Sequence, residues 1–181
     1  CLGNDGVLNL QKTLYGNTYL DYLAINEFEK GNTDNRVRKF REMMSNDELV
    51  LSSPGVEIPT IAFNRAPYLE YHTSNDSPLI ILEDKLEESY EIILNIVNIL
   101  LQDYVPKQLV KGIIFMSKYN LWIDKYEDLE TLLKRKMVMQ HLNGKHTVYE
   151  LSVMSELPFK NVLEILEKCY ENKLILKDTT K

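Results

Sequence analysis

The feature that most constrains this chain is the stretch Ser53-Pro-Gly-Val-Glu-Ile-Pro-Thr-Ile-Ala-Phe63, followed directly by the polar run Asn64 to Asp76. A Pro-Gly turn leads into a short run rich in β-branched residues, and that run opens into a polar loop with one histidine between Tyr71 and Thr73. Turn residues bounding a short apolar run read as a strand. Loops at the carboxyl ends of α/β strands are where ligands usually bind. His72 therefore occupies a position suited to metal ligation or proton chemistry.

The rest of the chain supports an α/β reading. Val7 to Leu10 alternates as a short strand, and Thr18 is placed to cap a helix carrying Leu20, Leu23 and Ala24 on one face. Residues 30–35 read as a turn-rich loop. Residues 47–51 and 56–63 read as two strands joined by the Ser-Pro-Gly turn. A long helix is expected from about Asp84 to Gln102. Its buried face is predicted to carry Leu86, Tyr90, Ile93, Val97, Leu100 and Leu101, and Pro106 is expected to stop it.

Residues 106–130 read as a connector whose aromatics, Phe115, Tyr119, Trp122 and Tyr126, cover a hydrophobic surface. From residue 131 the pattern changes. Helices are expected at 131–142, from Thr147 through Met154, and from Pro158 to Asn172, and Leu174 to Leu176 reads as a strand. Three short helices closing on a strand is the layout of a small winged-helix unit. The expected division is thus 1–105 for an α/β domain, 106–130 for the connector and 131–181 for the winged-helix-like domain.

Bulk properties narrow the function classes. In 181 residues, 44% are apolar and 27% charged, a globular balance. No run of about 20 apolar residues would span a membrane. A net charge of −6 gives no reason to expect nucleic-acid binding by the whole chain. The segment 131–181 has nine basic and six acidic residues, but its third helix carries Glu164, Glu167 and Glu171 against Lys160 and Lys168. Acids on a groove-entering helix repel phosphates. Two cysteines, Cys1 and Cys169, make no disulfide framework, and a reduced cytoplasmic setting fits. The chain begins with Cys rather than Met, and is expected to be a piece of something longer.

Several side chains could do chemistry. His72 reads either as a metal ligand, with Thr73, Ser74 and Asp76 holding its second nitrogen or the loop, or as a surface histidine in an Asx/ST turn. Asp5, beside Asn4, reads as a carboxylate ligand or as part of an ordinary Asn-Asp-Gly turn. Asp47 and Glu48, adjacent on an expected strand, would point to opposite faces. Arg65 reads as a substrate-carboxylate binder or a structural ion pair. His141 and His146 read as surface residues, and Cys169 as a core residue.

The segment Tyr71-His-Thr-Ser-Asn-Asp76 resembles the last metal-ligand loop of co-catalytic zinc aminopeptidases of the M28 type. The fuller resemblance is to aminopeptidase-like proteins of polysaccharide-biosynthesis clusters with a C-terminal winged helix, the DUF4910 type. It rests on an ordered set: Cys1-Leu-Gly-Asn4, Asn46-Asp-Glu48, Ser53-Pro-Gly with Ile58-Pro59, Arg65, Tyr71-His-Thr-Ser with Asp76, and Pro106-Lys107. The resemblance implies a partial M28-like mixed sheet flanked by helices, plus a winged helix. It implies zinc-assisted hydrolysis of a peptide or amino-acyl bond, with a two-metal site and a glutamate base. His72 would be a zinc ligand. The family's aspartate ligand falls on Asn4, with Asp5 one residue on. Arg65 and Tyr71 would line the substrate pocket, and Asp47 and Asp76 would support the ligands from behind. The family's first histidine, bridging aspartate and glutamate would lie upstream of residue 1. The winged helix would serve docking or homo-oligomerisation.

Overall fold

The computed structural model describes residues 1–31, 34–43 and 46–179. The turn expected at 30–35 lies partly outside the described residues. The chain forms a mixed α/β structure divided into two compact units, Cys1–Asn98 and Ile99–Lys181.

The first unit is built on a three-stranded sheet in the order β2-β1-β3, comprising β1 (Val7–Gln11), β2 (Arg36–Arg38) and β3 (Ala62–Ala66). β1 runs parallel to β2, with Leu10 opposite Val37, and antiparallel to β3, with Val7 opposite Ala66. A parallel pair needs a crossover, and α1 (Tyr19–Glu29) supplies it. Thr18 caps α1 through a capping box with Asp21, as the sequence predicts. Leu23, Ala24 and Phe28 of α1 are buried with Leu8 and Leu10 of β1. Phe28 and Phe63 bring their rings within 6.0 Å across the helix–sheet layer.

Two expectations fail here. Residues 47–51 are not a strand: α2 (Glu48–Leu51) is one helical turn. Glu48 is buried and accepts the backbone N–H of Asn46 at 2.9 Å, which nucleates the turn locally. Residues 56–61 are irregular, and β3 starts only at Ala62. Gly55 and Glu57 take left-handed φ angles of 85° and 53°, and Ile58 N–H bonds back to Leu51 C=O at 2.9 Å. Pro59 has no N–H to give a ladder. The segment thus folds onto α2 before it can extend.

α3 (Glu83–Gln102) forms where the periodicity places it, but the buried face differs from the expected one. Ser89, Ile96 and Ile99 are buried, whereas Leu86, Tyr90, Val97 and Leu101 are exposed. The helix ends at Gln102, ahead of Pro106, which lies inside a strand.

The second unit holds a two-stranded antiparallel sheet, β4 (Val105–Gln108) with β5 (Ile175–Asp178), and three helices, α4 (Leu129–Gln140), α5 (Val148–Ser155) and α6 (Phe159–Glu171). Thr147 caps α5 in a second capping box, with Glu150. Leu132, Val138, Leu151, Val162, Leu166 and Cys169 make its core. Residues 106–130 contribute to that core through Ile114, Met116 and Leu121. Tyr119 packs against it, while Phe115 and Tyr126 are exposed. Among the described residues no helix is long and apolar enough to cross a membrane.

Candidate functional site

The register of β1 against β3 decides which loops meet. Because Val7 pairs with Ala66, the segment before β1 and the segment after β3 leave the sheet at the same end. The first carries Asn4 and Asp5, and the second carries Tyr71, His72 and Asp76. Asn4 ties the two together. It is buried and donates from Nδ2 to Pro67 C=O at 3.1 Å, and its Oδ1 is buried without a hydrogen-bond partner. Gly6 lets the strands approach: a Cβ there would lie 2.8 Å from the Ala66 and Pro67 backbone. Asp5 is exposed.

The loop after β3 is a chain of short turns. Thr73 Oγ1 donates to Glu70 C=O at 2.7 Å and accepts from Asn75 N–H at 3.2 Å, an ST turn. Tyr68 OH donates to Asp76 Oδ1 at 2.6 Å, which spans the loop. That hydrogen bond to Asp76 pushes the Tyr68 phenol up to about 12. His72 stands at φ 61°, in the left-handed region, with its ring stacked on Tyr71 at 3.9 Å. Both rings are exposed. Thr73 and Asp76 thus hold the loop, one of the two roles open to them from sequence. Tyr68 is the loop residue that sequence reasoning missed; its spacing of three from Tyr71 was the available signal, and the two rings lie 5.4 Å apart.

Arg65 is 2% exposed. Its Nε donates to Leu2 C=O at 3.0 Å and Ser89 Oγ at 3.2 Å. Nη1 donates to Gly6 C=O at 3.1 Å. Nη2 donates to Lys85 C=O at 2.9 Å and pairs with Glu88 at 2.7 Å. It is a structural ion pair that pins the N-terminal loop and α3 to β3. Asp47 is exposed at the start of α2 and makes no side-chain cap bond. In the second unit His141 and His146 meet edge-on at 6.1 Å, both part-buried. Cys169 is buried, and burial pushes its thiol up to about 11.

The segment carrying Asn4 and Asp5 and the segment leading to Tyr71, His72 and Asp76 therefore leave the sheet at one end, tied at Asn4 and Pro67. Among the described residues, no group of three or more His, Cys, Asp and Glu stands close enough to hold a metal ion. One exposed imidazole and one buried amide oxygen fall short of the three or four protein ligands that zinc sites use. The described residues do not fit a complete zinc site on their own.

The model of a family known as DUF4910, a domain of unknown function, matches residues 1–103. The chain belongs to the DUF4910 family. Its match covers the whole three-stranded sheet and all of α3. No curated protein matches the chain. Among solved structures, the chain is similar to a protein from Clostridium acetobutylicum called a "putative peptidase". Identity is 21% and the TM-score 0.74, over 98% of this chain and 40% of that one. At this identity the likeness establishes a shared fold. This DUF4910 chain spans well under half the length of that protein.

Proposed function

We propose that the chain is part of an aminopeptidase-like hydrolase of the M28 type, acting on an N-terminal peptide or amino-acyl amide bond. One observation carries this reading: Asn4 and Asp5 on one side, and the His72 loop on the other, leave the sheet at the same end. The fold shared with a protein named as a peptidase supports it. In this reading His72 is a zinc ligand and Asn4 or Asp5 takes the second position. Tyr71 lines the substrate side, and Asp76 braces the loop through Tyr68. The general base and the remaining ligands come from outside residues 1–181. The second unit, three helices on a two-stranded sheet, acts as a winged-helix docking or oligomerisation module. A role in polysaccharide assembly in the cytoplasm is the biological setting that the family resemblance suggests.

The test is hydrolysis of aminoacyl anilides by the protein that carries this chain, with zinc content measured in parallel. His72→Ala is expected to lower kcat/KM and zinc affinity by about 10- to 100-fold or more, with an unchanged circular dichroism spectrum because the ring is exposed. Unchanged zinc and activity in that variant would sink the reading. An amide at Asn4, where the family has an aspartate, favours a second reading as a non-catalytic ligand-binding relative. Binding of an aminoacyl amide with no turnover at any zinc concentration would decide for it.

A further inference from the structure

A cavity of about 570 Å³ is lined wholly by residues of the second unit. Its size falls in the range of small-molecule sites. Ile114, Met116 and Leu142, all buried, are among its lining residues. One wall is the face of α4 that carries Lys136, Met139 and Gln140, residues three and four apart and so on one side of the helix. The loop from Gly112 to Ser117 and Trp122 also line the cavity. That loop is held in shape. Gln108 Nε2 donates to Val110 C=O at 2.6 Å and to Gly112 C=O at 2.7 Å, and Gly112 takes φ 94°.

Lys136 is the one charged residue of the lining, beside the neutral polar residues Gln108, Ser117, Gln140 and Asn143. Lys136 Nζ stands 5.2 Å from the Trp122 ring centroid, over its face. Among the described residues it has no carboxylate partner, whereas its neighbour Lys134 is paired with Glu130 at 2.7 Å and with Glu156 at 3.6 Å. Asn143, also in the lining, accepts from Lys145 N–H at 3.0 Å through Oδ1. A largely apolar cavity with one ammonium that no described carboxylate neutralises matches an apolar body with a single anionic head. Bidentate recognition of a phosphate would use a guanidinium fork, and no arginine lines the cavity; a lone ammonium suits a singly charged carboxylate.

We infer that this cavity binds an apolar monocarboxylate, with the hydrocarbon over Ile114, Met116 and Leu142 and the carboxylate on Lys136. The site is independent of the hydrolase reading. Trp122, the one tryptophan in the sequence, reports on it directly by fluorescence. The probes are phenylbutyrate and its neutral amide, phenylbutyramide, titrated into the 181-residue chain. Phenylbutyrate is expected to give a saturable change in Trp122 emission, with affinity about tenfold or more above that of the amide. Lys136→Gln, an exposed position, is expected to abolish that preference and leave the thermal transition in place. An absent or non-saturable response overturns the proposal. So does equal affinity for acid and amide in the wild-type chain, a comparison that needs no variant. A preference that survives Lys136→Gln does the same.

Discussion

At the residue scale, Asp21 shows how one side chain fixes a strand-to-helix junction. It is buried and accepts four hydrogen bonds: from Thr13 N–H at 2.7 Å, Thr13 Oγ1 at 2.5 Å, Thr18 N–H at 2.9 Å and Thr18 Oγ1 at 2.8 Å. Burial works to raise its pKa, but the hydrogen bonds from Thr13 and Thr18 outweigh it and hold the carboxyl below the ordinary range. A carboxyl with a lowered folded-state pKa contributes stability that is present above its unfolded value and is lost as pH falls through its folded value. Asp21→Asn is therefore expected to cost about 2 kcal/mol at neutral pH. That difference should shrink as pH drops below the ordinary carboxylate range. Urea unfolding of both proteins at neutral and acid pH checks this; a pH-independent difference would mean that packing, not charge, is at stake. The capping role of Thr18 was legible from sequence because a cap is a local pattern. The four-fold use of Asp21 was not, since Thr13 lies eight residues away and its approach depends on where β1 ends. Arg65 makes the same point. The sequence left a choice between substrate and structural ion pair, and only the partners at Leu2, Gly6, Lys85, Glu88 and Ser89 say what it touches.

At the element scale, α3 separates what periodicity fixes from what it leaves open. Its extent was legible to within one residue, because a long apolar 3.6-residue repeat has few alternatives. Its orientation was not. The helix carries apolar residues on more than one side, and the small, polar Ser89 sits on the buried side, where Oγ donates to Leu2 C=O at 2.9 Å. A hydrophobicity count favours Leu86, Tyr90 and Val97 over a stripe that contains a serine. The two faces predict different costs. Ile96→Ala, at 2% exposure, is expected to destabilise by about 2–5 kcal/mol. Tyr90→Lys, at 61% exposure, should stay within about 0.5 kcal/mol. Denaturant midpoints of the two variants decide the matter, and a reversed order would return the buried face to the one periodicity suggests. The strands at 47–51 and 56–61 fail for a related reason. β-branched content marks what could pair in a sheet, but Glu48, Gly55 and Pro59 direct the backbone first.

At the scale of the whole molecule, the candidate site was legible as two loops and not as a site. Sequence order alone separates Asn4 from His72 by most of the first unit, and only the antiparallel register of β1 and β3 sends them out of the sheet together. The cavity of the second unit was less legible still: its residues run from Gln108 to Asn143 with no motif among them. Charge, by contrast, is additive and can be read without a fold. Three helices on a two-stranded sheet, if used as a winged helix, would offer α6 to the DNA groove. On α6 the exposed Glu164 and Glu171 offset Lys160 and Lys168. Glu167 draws Lys177 to itself at 2.5 Å, so one of the cations nearest that helix is already neutralised. Lys177 also sits 4.3 Å from the Tyr170 ring centroid, a second hold on the same ammonium. Phosphate binding scales with the number of cations free to displace counterions, and this face offers few. The 181-residue chain is therefore expected to show no binding to duplex DNA at physiological salt by fluorescence anisotropy. The double reversal Glu164→Lys with Glu171→Lys should raise affinity at low salt in a sequence-independent way. Tight, salt-resistant and sequence-selective binding by the unaltered chain would overturn the argument, because it would require a basic reading surface other than α6.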